Sequence, residues 1–208
     1  MITRCESCGL ANDQGIQLEP CVRQHPPGKS GDLVSLRELE EAFPALLGIR
    51  SAERRSIDWE FIRRETGVVL PSDFVALAET YPPFTVDDFL GLHIPSAGEE
   101  RYFVRGVQEG LRNLSELRAA GMSHGHAPYP EPGGLFPWGD SAEGDIFYWR
   151  TTGAEDESWT VLVASHNDDW CEYDGSLTSY LAAKVRGTVL PDGLPPDFPS
   201  PMPVVEAD

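Results

Sequence analysis

The feature that most restricts the fold is a change of period in the apolar residues, from three to four positions before residue 121 to two positions after residue 134. Phe74, Leu77, Ala78 and Tyr81 stand at i, i+3, i+4 and i+7, one helical stripe, and Pro82-Pro83 ends it. After a Pro/Gly-rich loop from Gly121 to Gly134 come four short runs rich in aromatic and β-branched residues: Leu135 to Trp138, Asp145 to Arg150, Trp159 to Ala164 and Trp170 to Tyr173. The turn-formers Gly139-Asp140, Glu143-Gly144 and Asn167-Asp168 lie among them, so they read as an antiparallel meander. Ser176 to Arg186 closes the pattern with Leu177, Tyr180, Leu181 and Val185 on one helical face. Helices, then strands, then one helix describe an α+β domain: an antiparallel sheet of about five strands packed with helices.

Local signals place the helix ends. Ser35 and Glu38 have capping-box spacing and Val34 with Leu39 the spacing of a hydrophobic staple, which predicts a helix from Ser35 to near Pro44. Asp58 is the expected N-cap of a second helix, with Ile57 and Ile62 as its staple and Gly67 as its left-handed stop. Pro71 with Asp73 favours a third start there, and residues 84 to 94 read as extended. Phe103, Val107, Leu111, Leu114 and Leu117 fit a further helix, although Gly106 and Gly110 each cost about 1 kcal/mol relative to alanine. Residues 1 to 32 read as a leader, 33 to 187 as the domain, and 188 to 208 as a tail. Six prolines in the last eighteen residues predict that this tail is disordered.

Charge excludes several functions. Thirty-four acidic residues against sixteen basic ones give a net charge of -18, which repels nucleic acid phosphates and anionic lipid headgroups. Residues 131 to 175 hold eleven of the acids and a single base, Arg150. No run approaches the ~20 apolar residues of a membrane span and the opening residues lack a secretory apolar run, so a soluble, cytoplasmic protein is expected. Four cysteines are too few for a disulfide scaffold, and reduced thiols are expected.

Few constellations carry chemistry. Cys5, Cys8, Cys21 and His25 have the spacing of a tetrahedral structural zinc site, but only Ile16 and Leu18 are there to pack around it, so no metal is assigned. His124 and His126 form a two-imidazole pair in a loop without a third ligand nearby in sequence. His166 and Asp168 fall on one side if their strand continues, an arrangement for general base work. No nucleophile elbow or phosphate loop accompanies them, and Cys171 reads as a small buried hydrophobe. The remaining candidates are partner contacts: Trp138, Asp140, Glu143, Glu155, Asp156, Glu157, Asp168 and Asp169, acids in the meander turns with aromatics between them.

Asp58-Trp59-Glu60-Phe61 through Gly67, then Leu70-Pro71-Ser72-Asp73-Phe74, and later Leu135-Phe136-Pro137-Trp138-Gly139-Asp140 followed by Gly144-Asp145-Ile146-Phe147-Tyr148-Trp149, together resemble the SMI1/KNR4-like family, also called SUKH. The likeness covers about residues 35 to 187; the cysteine leader and the proline tail lie outside it, and Pro82-Pro83 stands where members often have glycines. The resemblance implies an α+β binding domain with no catalytic residues. It implies a bacterial immunity protein that neutralises an intercellular toxin such as a nuclease or deaminase, with a fungal cell-wall regulator as the other known role. Expected, then, is a non-enzymatic, cofactor-free protein whose partner is a basic toxin. An intracellular scaffold, or a hydrolase using the carboxylates or His166, are the alternatives.

Overall fold

The computed structural model describes residues 32–151, 159–189 and 192–207. Five α-helices and seven strands are found among them: α1 (Asp32–Ala42), α2 (Trp59–Thr66), α3 (Ser72–Thr80), β1 (Phe84–Val86), β2 (Leu90–Leu92), α4 (Glu100–Ala119), β3 (Leu135–Ser141), β4 (Ile146–Arg150), β5 (Thr160–Ala164), β6 (Trp170–Tyr173), α5 (Leu177–Val185) and β7 (Val205–Ala207). A 3-10 helix, Pro44–Ile49, follows α1. The strands form one antiparallel sheet in the order β6-β5-β4-β3-β2-β1-β7. The α+β class is as expected, with seven strands in place of about five: 84 to 94 supplies two and the tail a third.

Several helix ends follow the chemistry of their sequence. Asp58 accepts the backbone N–H of Phe61 at 2.9 Å, and Gly67 closes α2 at φ 74°, where a side chain would be strained. α1 begins at Asp32, three residues before the expected start, so Ser35 lies inside the helix rather than at its cap. Asp73, buried at the start of α3, reaches across the core and accepts both the N–H and the hydroxyl of Thr178 at 2.9 and 3.1 Å. It thereby satisfies the N-terminus of α5 and ties the third helix to the fifth. Burial pushes its carboxyl upward against those hydrogen bonds.

Both faces of the sheet are covered, which explains why β4 and β5 read as nearly unbroken apolar runs. Phe136, Trp138, Phe147, Trp149, Val161, Val163 and Tyr173 face the main core with Phe74, Leu77 and Leu177. Leu135, Tyr148, Leu162 and Ala164 face a second core closed by Leu114 of α4. The approach of α4 to β3 needs a glycine: a Cβ at Gly110 would lie 2.8 Å from Cγ of Pro137.

The tail corrects the expectation of disorder. Between residues 192 and 207 it crosses the domain and ends as β7, paired with β1 at Phe84↔Ala207, Thr85↔Glu206 and Val86↔Val205. Asp192 is buried against the hydroxyl of Tyr180 (2.9 Å) and Nζ of Lys184 (2.7 Å). Asp87 takes the N–H groups of Ser200 and Val204 at 2.8 and 2.7 Å, and Phe198 packs on Phe89 with centroids 4.4 Å apart. A proline-rich segment cannot order itself, but an unpaired sheet edge and a turn carboxylate supply partners for its N–H groups. Among the described residues no helix is long and apolar enough to cross a membrane.

Candidate functional site

In an antiparallel meander alternate turns leave opposite ends of the sheet. The β3–β4 and β5–β6 turns therefore share one end, and β4 ends and β5 begins at the other. Asp140, Glu143, Asp168 and Asp169 are all exposed at that shared end. Glu155, Asp156 and Glu157 lie outside the described residues, as do Cys5, Cys8, Cys21 and His25.

One buried carboxylate organises the shared end. Asp145, with no exposed surface, accepts from the hydroxyl of Ser141 and, through Oδ1, from the backbone N–H and Nδ1 of His166, both at 2.9 Å. Burial pushes this carboxyl upward, but the bonds from Ser141 and His166 outweigh it and hold the group below the usual aspartate range. A charged carboxylate can only accept, so Nδ1 of His166 carries the proton and Nε2 is the outward position of the ring. Nε2 lies 3.9 Å from Oε2 of Glu143 on a side chain that is 35% exposed. The two turns are thus locked together beneath the surface.

The expected pairing of His166 with Asp168 is not found. β5 ends at Ala164, residues 165–169 turn, and Asp168 adopts φ 70°, so strand alternation no longer applies where it was extrapolated. Asp168 instead meets Nε2 of His124 at 3.0 Å, and Asp140 meets Nε2 of His93 at 3.3 Å. Imidazoles therefore stand against the rim acids at three points. The hydroxyl of Ser141 donates to Asp145, so it is committed to the carboxylate rather than placed as a nucleophile at His166. The geometry provides an oriented imidazole for hydrogen bonding at a surface.

Trp138 is a correction. It is fully buried, 5.1 Å from Phe147 and 6.2 Å from Trp149 between ring centroids, and offers nothing to a partner. Its indole N–H and that of Trp149 find no hydrogen-bond partner among the described residues, as suits an apolar core. Tyr148, Trp159 and Tyr173 are buried as well, and only Trp170 among these aromatics of the second half is partly exposed. Both faces being covered removes the aromatic anchors that one exposed face would have supplied. Cys171 is buried and disulfide-bonded, which departs from the expectation of reduced thiols.

No metal chelate forms at His124 and His126: Nδ1 of His126 faces the guanidinium of Arg150 at 3.3 Å, a cation where a metal would need none. Among the described residues no group of three or more His, Cys, Asp or Glu is placed to hold a metal ion. Sequence reasoning missed Asp145 and His93. The signal for Asp145 was its place directly after Gly144 in a tight turn, but the partner that buries it comes from 21 residues away. The chain matches no protein-family model, no curated protein and no solved structure.

Proposed function

We propose that the chain is a non-catalytic protein-binding domain, a cytoplasmic immunity protein that neutralises a basic toxin, with the rim of Asp140, Glu143, Asp168 and Asp169 as its contact site. The observation that carries this reading is the placement of these four exposed carboxylates on two turns that Asp145 and His166 lock together at one end of a rigid sheet. Fixed charges lose little conformational entropy on binding and steer an oppositely charged partner toward the site. A net charge of -18 adds long-range attraction for enzymes built to hold phosphates, which nuclease and deaminase toxins are. The likeness of residues 35 to 187 to SMI1/KNR4-like domains supports the same role. The test is co-expression with the product of the adjacent gene. Wild type should restore growth, and a variant with Asp140→Asn, Glu143→Gln, Asp168→Asn and Asp169→Asn should fail to. Binding without growth rescue would favour a scaffold or regulator.

A further inference from the structure

The connection between α4 and β3 closes over the second face with two imidazoles. A tight turn presents them: the N–H of His126 donates to the carbonyl of Ser123 at 2.8 Å, and the buried Ser123 hydroxyl donates to the carbonyl of His126 at 2.9 Å. Both rings lie on Trp170, His126 at 4.9 Å and 23° and His124 at 5.8 Å and 27°, while Tyr148 stacks on the same indole at 6.4 Å and 8°. Nδ1 of His126 stands 3.3 Å from Nη2 of Arg150. A guanidinium only donates, so Nδ1 must accept and the closed loop requires a neutral ring. Adding a proton there would set two cations in contact.

We propose that residues 121–126 form an acid-released latch over Trp170, closed while His126 is neutral and opened by its protonation. The groups facing the ring are Arg150 from β4, Glu172 from β6 and His124 from the loop itself. Burial, then Arg150, oppose the imidazolium; Glu172 favours it and His124 opposes it, and the balance pushes His126 down to about 4. Glu172 is shared with Nε of Arg150 at 3.0 Å and the Thr160 hydroxyl at 2.9 Å, which limits what it can offer. In an open loop the ring returns to about 6.5. The open state then binds more protons, so the ratio of open to closed rises about tenfold per unit as pH falls from about 6.5 to about 4, and levels off below. His124 adds a second tie between the loop and the end of the sheet, its Nε2 lying 3.0 Å from Asp168. The far end of the loop stays anchored: Leu135 N–H donates to Ala127 and Tyr129 N–H to Leu135, at 2.8 and 3.0 Å. Opening uncovers the indole of Trp170 beside Asp168 and Asp169, and it does not depend on the toxin-binding reading.

The test is an NMR titration of the full chain from about pH 7.5 to about pH 4, following histidine rings, backbone amides and the Trp170 indole. Amides 121–126 and the indole should shift with the low midpoint of the His126 ring while Leu77 and Val163 stay still. His126→Phe keeps a stacking ring without a titrating nitrogen and should abolish the shift; Arg150→Gln should raise the midpoint of the His126 ring and make the loop shift smaller, because no second cation faces the protonated ring. The latch is overturned if the loop follows His124 and the shift persists in His126→Phe. A His126 ring that titrates near 6.5 over a motionless loop, or loss of the Leu77 and Val163 signals at the same midpoint, overturns it too. Should Arg150→Gln fail to fold, the His126→Phe comparison decides alone.

Discussion

Asp145 has no contact with solvent, yet it stays charged because Ser141 and His166 surround it with donors. An amide in its place turns an N–H toward at least one of those donors. Asp145→Asn should therefore cost about 1.5 to 3 kcal/mol in urea unfolding at pH 7, the range for hydrogen bonds to charged groups. The pH dependence has a definite sign. The folded group binds its proton less readily than an unfolded aspartate at about 3.9, so its contribution is complete above about pH 4 and fades as pH falls through the folded value. The gap between wild type and variant should narrow in acid over that window; a constant gap would mean that the charge of Asp145 is immaterial.

Along α4 the two glycines part company. A Cβ at Gly110 would collide with Pro137, whereas one at Gly106 would meet nothing within 4 Å among the described residues. Gly106→Ala should stabilise by about 0.5 to 1 kcal/mol through helix propensity, and Gly110→Ala should destabilise because β3 must shift. Denaturant midpoints moving together would contradict the packing described. Asp87→Ala should release the tail, seen as faster hydrogen exchange of residues 200–207 with β3 to β6 unchanged, since Ser200 and Val204 lose their acceptor. These elements also show what a sequence can carry. Asp58, Gly67 and the Phe74 stripe act on neighbours within one or two turns, and period and cap chemistry reveal them. The partnership of Asp145 with His166, the docking of the tail on β1 and the burial of Trp138 depend on which segments meet in space. Alternation placed His166 with Asp168 only by extending β5 past Ala164, where the chain turns.

At the scale of the molecule, charge and topology act together. The sequence places eleven acids between residues 131 and 175, and the antiparallel order brings the β3–β4 and β5–β6 turns of that region to one end of the sheet. Asp140, Glu143, Asp168 and Asp169 share one end, which makes them one surface rather than scattered turns. If that surface steers a basic toxin, added salt should slow association far more than it speeds dissociation, because the Debye length falls from about 10 Å at 0.1 M to about 3 Å at 1 M. The most direct measurement is the association rate with the product of the adjacent gene, taken across that salt range for wild type and for the variant with all four rim carboxylates made amides. Steering by the rim requires the wild-type rate to fall steeply with salt and the variant to be slow and nearly flat. Equal rates and equal salt slopes for the two proteins would contradict it.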